Sequence, residues 1–324
     1  MTRYGTYGYD ATGKAMLTER SGGVEHFGFV YDSDTQTTVT DAVGNQELMT
    51  FQTQFGLKRL TSLLNQSDNK TLTQTFDAQN NLVCRQDEEG RVTTWTWNAT
   101  NQKTSMTEGQ TGSCAAPQTT SVTRTTSYQY LSTSLDLPTL IQSPSVRAGQ
   151  QQATAIQYTD TAHPNLPTVI THSGYTPDGD SVSRAVSVQY NAQGQVDQVD
   201  GPRTDVSDLT TLAYNECISG IGCGQLASLS NALGQVTTFD SYDGNGGLTQ
   251  MTNPNGLHTS YQYDPRGRVL FITQTPPTGN ARTTEYRYVA AGDVTFTAFP
   301  DGITLGYQYD AVSASARAGL QDAG

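Results

Sequence analysis

The sequence offers few side chains that could perform catalysis. Its four histidines, His26, His163, His172 and His258, are far apart in the chain, and none has the spacing of a zinc-binding pair. A catalytic triad needs a nucleophile beside a base that a third group orients, and nothing around these residues indicates such a base. We therefore expect exposed or packed histidines, no catalytic residue and no enzyme activity.

Two pairs of aspartates have the spacing with which a calcium loop begins, namely Asp32-Ser-Asp34 and Asp178-Gly-Asp180. Neither pair continues into a twelve-residue loop that ends in glutamate, as calcium binding of that type requires. Aspartate is also common in tight turns, where its carboxylate accepts hydrogen bonds from the backbone. The sequence therefore predicts turn carboxylates, with no bound metal and no cofactor.

The four cysteines could form two disulfides. Cys217 and Cys223 flank a glycine-containing loop that is flexible enough to close a bridge, and Cys84 and Cys114 are the other two. Connectivity does not follow from sequence, and the lack of a Cys-x-x-Cys motif argues against zinc. In an exported protein a Cys217–Cys223 disulfide is favoured over free thiols. Such a bond would staple a hairpin tip and catalyse nothing.

Aromatic residues recur two positions apart, which places both rings on one face of a strand. The pairs are Tyr7/Tyr9, Phe29/Tyr31, Trp95/Trp97, Tyr128/Tyr130, Tyr261/Tyr263, Tyr286/Tyr288 and Tyr307/Tyr309. Such rings could stack against sugars or nucleic-acid bases. A sheet that is poor in aliphatic side chains, however, needs aromatic rings for packing across its strands. We favour packing and keep carbohydrate binding as the alternative.

The stretch from Tyr261 to Phe271 predicts how these side chains are positioned. Tyr261 and Tyr263 fall on the same face of a strand. The next four residues, Asp264-Pro-Arg-Gly267, have the composition of a type I turn with a left-handed glycine, which is a common hairpin connection. The sequence therefore predicts a strand, a tight turn and a second strand.

This unit is repeated along the chain. Its copies are marked by Tyr9, Asp10 and Gly13; Phe76 and Asp77; Trp97; Tyr190 and Gly194; Tyr242, Asp243 and Gly246; Tyr263, Asp264, Gly267 and Arg268; and Tyr309 and Asp310. A second turn type alternates with it at 41–45, 87–91, 231–235 and 253–257. From Tyr242 to Tyr263 is 21 residues, which accommodates two strands of about six residues and two turns. The pattern predicts a meander of antiparallel hairpins.

Residues of about 107–185 depart from this period. The excess is predicted to form elongated hairpin tips at Gly109–Thr126, at Leu135–Pro138 with Ser143–Pro144, and at His163–Pro167 with Gly174–Asp180, because proline is confined to edges and loops. No linker marks a domain boundary, so residues 1–324 are expected to be a single repeat segment. Neither end resembles the capping unit of a repeat array, which predicts a fragment of a longer array.

Composition restricts the function further. The 324 residues are 35% hydrophobic and 15% charged, with a net charge of −12, and this balance argues against nucleic acid as the main partner. No apolar run is long enough for a transmembrane helix, and residues 1–20 lack the apolar core of a signal peptide. A secreted or surface protein exported without such a signal, or a piece of a larger protein, fits these features.

Tyr-Asp-x-x-Gly-Arg every twenty-odd residues, as at Tyr263–Arg268, resembles the Rhs/YD-repeat family. The resemblance is strongest over Leu72–Met106 and Gln225–Asp310 and thin over Gln110–Asp180. The cysteine-bearing stretch Tyr214–Leu226 is similar to bacterial Rhs proteins in particular. The motif that closes the bacterial shell, its self-cleavage site and the toxin domain that follows have no match in this sequence.

The resemblance implies a strip of antiparallel strands, curved into part of a spiral β-shell. In bacterial Rhs proteins and in the C components of Tc toxins, that shell encloses a C-terminal toxin, and in teneurins a related barrel serves adhesion. The expected partners are thus the remainder of the same polypeptide, its enclosed toxin and secretion machinery, or in the alternative a surface glycan. A β-propeller of 42-residue blades is the alternative fold.

Overall fold

The structure is a computed structural model that describes residues 5–20, 25–217, 220–309 and 321–322. Every element of regular structure within these residues is a β-strand. Within them, no helix is long and apolar enough to cross a membrane. The prediction of an all-β protein is confirmed.

The strands are short and follow one another closely along the chain. They are β1 Gly5–Tyr9, β2 Ala15–Arg20, β3 Phe27–Ser33, β4 Gln36–Thr40, β5 Gln46–Gln54, β6 Leu57–Asn65, β7 Lys70–Phe76, β8 Leu82–Gln86, β9 Val92–Trp97, β10 Lys103–Ser113, β11 Ala116–Gln118, β12 Arg124–Ser132, β13 Leu135–Pro144, β14 Gln151–Gln157 and β15 Val169–Tyr175. They continue with β16 Ser181–Tyr190, β17 Val196–Asp200, β18 Thr210–Tyr214, β19 Leu226–Ser230, β20 Val236–Tyr242, β21 Leu248–Thr252, β22 His258–Tyr263, β23 Val269–Thr275, β24 Arg282–Tyr288, β25 Val294–Ala298, β26 Thr304–Gly306 and β27 Gln321–Asp322.

The chain divides into two compact units. The first is formed mainly by residues 25–185 and the second mainly by residues from Val186 onward. In the second unit each strand from β17 to β26 pairs antiparallel with the next. A propeller would interrupt this ladder after every fourth strand. The antiparallel meander is therefore confirmed, and the propeller alternative is wrong.

The first unit is built in the same way. Its strands from β3 to β10 pair consecutively, and the ladder then runs through β12, β13 and β14 to β15. The short strand β11 pairs with the end of β10. In a meander, successive turns lie at opposite ends of the strands. The two turn types of the sequence therefore form two rows, one at each end of the strands.

The ladder places different side chains on the two faces of the sheet. In the second unit Tyr261 pairs with Ile272 on one face, whereas Ser260 pairs with Thr273 and Thr273 with Thr283 on the other. Threonine hydroxyls meet across strands on the polar face, for example at 2.9 Å between Thr273 Oγ1 and Thr283 Oγ1. Each pair of opposed side chains contributes a fraction of a kcal/mol to about 1 kcal/mol.

Few side chains are removed from water. Among the described residues the buried apolar side chains are Val39, Cys84, Val92 and Ala291. Stability must therefore come from contacts between neighbouring hairpins rather than from a central core.

The predicted loop at Leu135–Pro138 and Ser143–Pro144 is wrong, because both prolines belong to β13. Pro138 pairs with Tyr130 at a register shift, where one strand carries an extra residue and a backbone N–H is not required. Pro144 ends the strand. The long hairpin of β12 and β13 thus gains its length as paired strand.

Candidate functional site

The turn between β22 and β23 shows how the repeated unit is built. The N–H of Gly267 donates to the carbonyl of Asp264 at 2.9 Å, and Gly267 has a φ of 78°. Oδ1 of Asp264 accepts the N–H groups of Arg266 at 2.8 Å and Arg268 at 3.1 Å, and Oδ2 accepts Nε of Arg268 at 2.7 Å. One carboxylate thus satisfies three donors and fixes the hairpin.

The other predicted units have related turns. The glycine N–H donates to the carbonyl of the first turn residue at Gly13, Gly194 and Gly246, with Asp10, Asn191 and Asp243 as acceptors. After Asp77 and Asn98 the glycine place is taken by Asn80 and Asn101, with φ of 72° and 64°. Asparagine tolerates this left-handed conformation better than other non-glycine residues. Tyr309 is described, whereas Asp310 lies outside the described residues.

The aromatic residue just before the turn of a unit makes a contact that the sequence patterns did not predict. Its hydroxyl or indole N–H donates to a backbone carbonyl in the preceding hairpin, and we call this contact the aromatic tie. The ties run from Tyr214 to Val196, Tyr242 to Leu226, Tyr263 to Leu248, Tyr288 to Val269, Tyr309 to Val294 and Trp97 to Leu82, at 2.6–2.8 Å. The sequence feature that could have revealed the tie is the hydrogen-bond donor that each of these aromatic side chains carries. Phe76 lacks one.

Burial raises the pKa of the Tyr242, Tyr263 and Tyr288 hydroxyls. These hydroxyls therefore stay protonated and remain donors well above neutral pH. Each tie also satisfies a carbonyl close to the edge of the ladder. The aromatic ties consequently join each hairpin to the one before it in the chain.

A second set of contacts joins neighbouring tips. The residue after the turn glycine, or its equivalent, sends its side chain to the next tip of the same row. Gln102 donates to the carbonyls of Ser132 and Leu135 at 2.7 and 2.8 Å, Gln195 donates to that of Gly224 at 2.8 Å, and Arg268 donates to that of Val289 at 3.0 Å. The Arg268 guanidinium also lies over the Tyr288 ring, 4.6 Å from its centroid.

The turn aspartates are held in their charged form. Burial alone would raise the pKa of Asp264, but hydrogen bonds from the Arg268 side chain and from the N–H groups of Arg268 and Arg266 hold this pKa below its usual value. The pKa values of Asp41, Asp77 and Asp87 are lowered by the same balance, with Asn45, Asn81 and Arg91 as the side-chain donors. These carboxylates therefore act as acceptors in turns.

The histidines contact residues close to them in the sheet. His163 Nδ1 lies 2.9 Å from Asp160 Oδ2, and His26 Nδ1 lies 3.2 Å from Glu19 Oε2. His172 and His258 each contact a threonine hydroxyl at 2.9 Å. In the part of the chain that the structure describes, no three His, Cys, Asp or Glu side chains are grouped so as to hold a metal ion.

The structure records two disulfides. Cys217 and Cys223 have Cα atoms 4.4 Å apart and staple the loop before β19. Cys84 of β8 is bonded to Cys114, which follows β10, with Cα atoms 5.6 Å apart. The two ladders between them make the second bond a link across the intervening strand β9.

These strands, turns and ties define a repeat protein of the β-meander class. The RHS Repeat family model matches residues 224–257 and 242–281. The resemblance to Rhs/YD-repeat proteins is therefore confirmed, and its matched part lies in β19–β23. No curated protein sequence matches the chain.

Solved structures share the fold over most of the chain. The crystal structure of TcdB2-TccC3 matches with a TM-score of 0.53 and 12% identity, and that of TcdB2-TccC3-Cdc42 with 0.53 and 11%. TcdB2-TccC3 without its hypervariable C-terminal region matches with 0.54 and 12%. Each match covers 95% of this chain, whereas the chain spans only 19% of the length of those proteins. At these identities the likeness establishes the fold alone.

Proposed function

We propose that the chain is a non-enzymatic wall segment of a secreted Rhs-type toxin protein. In this proposal the wall belongs to a spiral shell that encloses and shields a C-terminal toxin encoded outside the chain. The observation that carries it is the aromatic tie. A sheet that is fastened hairpin by hairpin, without a central core, can be extended by adding further units, as a wall requires.

Three further observations support the proposal. The fold matches 19% of the length of the TcdB2-TccC3 proteins, which suits a segment whose partners are the rest of the same polypeptide and its enclosed toxin. Two disulfides fit an exported protein, for which a secretion machinery would be a further partner. The carboxylates at the turns accept backbone hydrogen bonds, as Asp264 does, which favours a structural role over an enzymatic one.

The test uses the full-length polypeptide that contains this chain. We expect its toxin domain to survive a protease concentration that degrades the same domain expressed alone, as followed by mass spectrometry of the fragments. Removing three successive ties with Y242F, Y263F and Y288F together should expose the toxin to the protease. The matched control is Y261F, because the Tyr261 hydroxyl donates to the Met251 sulfur, at 3.5 Å, rather than to a backbone carbonyl.

Equal degradation of the enclosed and the isolated toxin domain would contradict the shielding role. The adhesion alternative is tested on the same protein with a glycan array. Reproducible binding that is lost when Gly174–Asp180 is shortened would favour a carbohydrate-binding module over a wall.

A further inference from the structure

The hairpin formed by Thr111–Gln118 differs from all repeated units, and we call it the cover hairpin. It pairs Thr111 with Gln118 and Ser113 with Ala116. The preceding part of β10 instead continues the meander, because residues 105–108 pair with β12. The cover hairpin is thus a side branch of the sheet.

One face of β8 and β9 lies against this branch. Cys84 pairs with Thr94, and Gln86 pairs with Val92, so these four side chains share a face. Thr94 Oγ1 donates to Oε1 of Gln110 at 2.8 Å. Gln86 Nε2 donates to the carbonyl of Gly112 at 3.0 Å, so the branch contacts the sheet through side chains on this face.

The side chains at this contact are among the least solvent-accessible that the structure describes. The exposed fraction is 0% for Val92, 3% for Cys84 and 7% for Gln110. The outer residues of the branch, Ala116–Gln118, are in contrast exposed. A buried patch in a sheet that is otherwise half-exposed indicates that the cover hairpin shields it from water.

The branch leaves the sheet at a position that only glycine can occupy. Gly109 has a φ of 73°, and a Cβ built on it would lie 2.6 Å from the Val122 carbonyl oxygen. Gly112 has a φ of 89°, and a Cβ there would lie 2.5 Å from the Ala116 carbonyl oxygen. Gly109 therefore marks the point where the branch leaves the sheet, whereas Gly112 lies within the cover hairpin, opposite Pro117.

We propose that the Cys84–Cys114 disulfide is a redox-controlled latch that holds the cover hairpin on the sheet. With three ladder pairs of its own, the hairpin is too short to be stable by itself in water. The covalent bond and the hydrogen bond from Gln86 Nε2 to the Gly112 carbonyl hold it in place. Breaking the disulfide therefore releases the hairpin and exposes Val92 to solvent, while the strands of the meander remain paired. This inference stands on the contacts of the branch and does not require the proposed shell.

The co-reactant is a low-molecular-weight thiol. Its thiolate attacks Sγ of Cys114, which is the more accessible sulfur because Cys84 is buried. The S–S bond breaks, a mixed disulfide forms on Cys114, and Cys84 leaves as a thiolate that takes up a proton. A second thiolate then displaces Cys114, so that two protein thiols and one small disulfide result.

Hydrogen exchange of the full chain, measured by mass spectrometry with and without dithiothreitol, tests the latch. We expect reduction to speed exchange over 110–118 by about tenfold or more, while exchange over 248–288 stays unchanged. C84S/C114S should show the fast exchange without reductant. C217S/C223S is the matched control, and its cover hairpin should remain protected until the remaining bond is reduced.

Three results would overturn the latch. Complete reduction, verified by alkylation of all four cysteines, could leave exchange over 110–118 unchanged. Reduction could instead speed exchange throughout the chain, which would make the bond a general staple. Alkylation of Cys84 and Cys114 before any reductant is added would show that the bond does not form.

Discussion

The regular region β20–β26 and the irregular region β9–β15 hold a thin sheet together by partly different means. The regular region repeats one hairpin, and each tie spans 15–19 residues. The irregular region has a side branch, a disulfide and longer strands, yet Tyr130 still donates to Lys103 at 2.8 Å and Tyr158 to Pro138 at 3.1 Å, over 27 and 20 residues. The aromatic tie is therefore present even where the 21-residue spacing of the repeat is lost. Hairpin length can vary without loss of the tie.

The largest expected effect is that of a substitution that destabilises the irregular region alone. G109A should lower the free energy of unfolding by about 2–4 kcal/mol, because the new Cβ meets the Val122 carbonyl and the positive φ is strained. G267A is the control, since nothing lies within 4 Å of that Cβ and only the strain of about 1–2 kcal/mol remains. Chemical denaturation measures both. Equal losses would remove the distinction between the branch point at Gly109 and an ordinary tip.

Removing a tie should affect both regions equally. Y263F and Y158F each remove a donor from a backbone carbonyl and should cost about 1 kcal/mol in denaturation experiments. Y261F supplies the baseline for losing a hydroxyl outside a tie. A cost for Y263F alone would restrict the tie to the regular repeats.

Acid should destabilise tips that begin with aspartate more than tips that begin with asparagine. The folded pKa of Asp264 lies below its unfolded value, so its contribution to stability is present above a pH of about 4 and is lost as the pH falls through the folded pKa. The protection factors of the amides in β22–β23, which correct for the pH dependence of intrinsic exchange, should therefore fall in acid more than those around the Asn191 turn. D264N should remove this difference, and an unchanged acid response would count against the carboxylate.

The smallest effect concerns contacts between tips. R268K keeps the charge but loses the guanidinium that stacks on Tyr288, reaches the Val289 carbonyl and also bonds Asp264 within its own turn, so D264N supplies the baseline for that local contact. We expect a loss of about 0.5–1 kcal/mol. A larger loss than that of Y263F would mean that the row of tips, rather than the ties, joins neighbouring hairpins. The double variant R268K/Y263F shows whether the two contacts add.

The sequence predicted best what depends on residues within four positions of each other. The turn of Asp264 and Gly267 is local in this sense, and so its position and its hydrogen bonds followed from residue type. The acceptor of Tyr263 lies 15 residues away, and no local pattern identifies it. The strand through Pro138 was missed because β13 itself carries an extra residue at the register shift beside Pro138, which makes room for a residue without an N–H. Cys84 and Cys114 were the second possible disulfide pair in the sequence, but whether they are joined depends on how the side branch places Cys114, which residue types alone do not fix.

The direction of the ties has a consequence for how the protein is made. In each tie the donor is the later residue and the acceptor the earlier one, as for Tyr242 and Leu226. During synthesis the acceptor hairpin has therefore already left the ribosome when its donor appears. Each new hairpin can form its tie with a hairpin that has already been synthesised. It does not depend on residues that are still to be translated. The sheet can grow in the order of translation, one hairpin at a time.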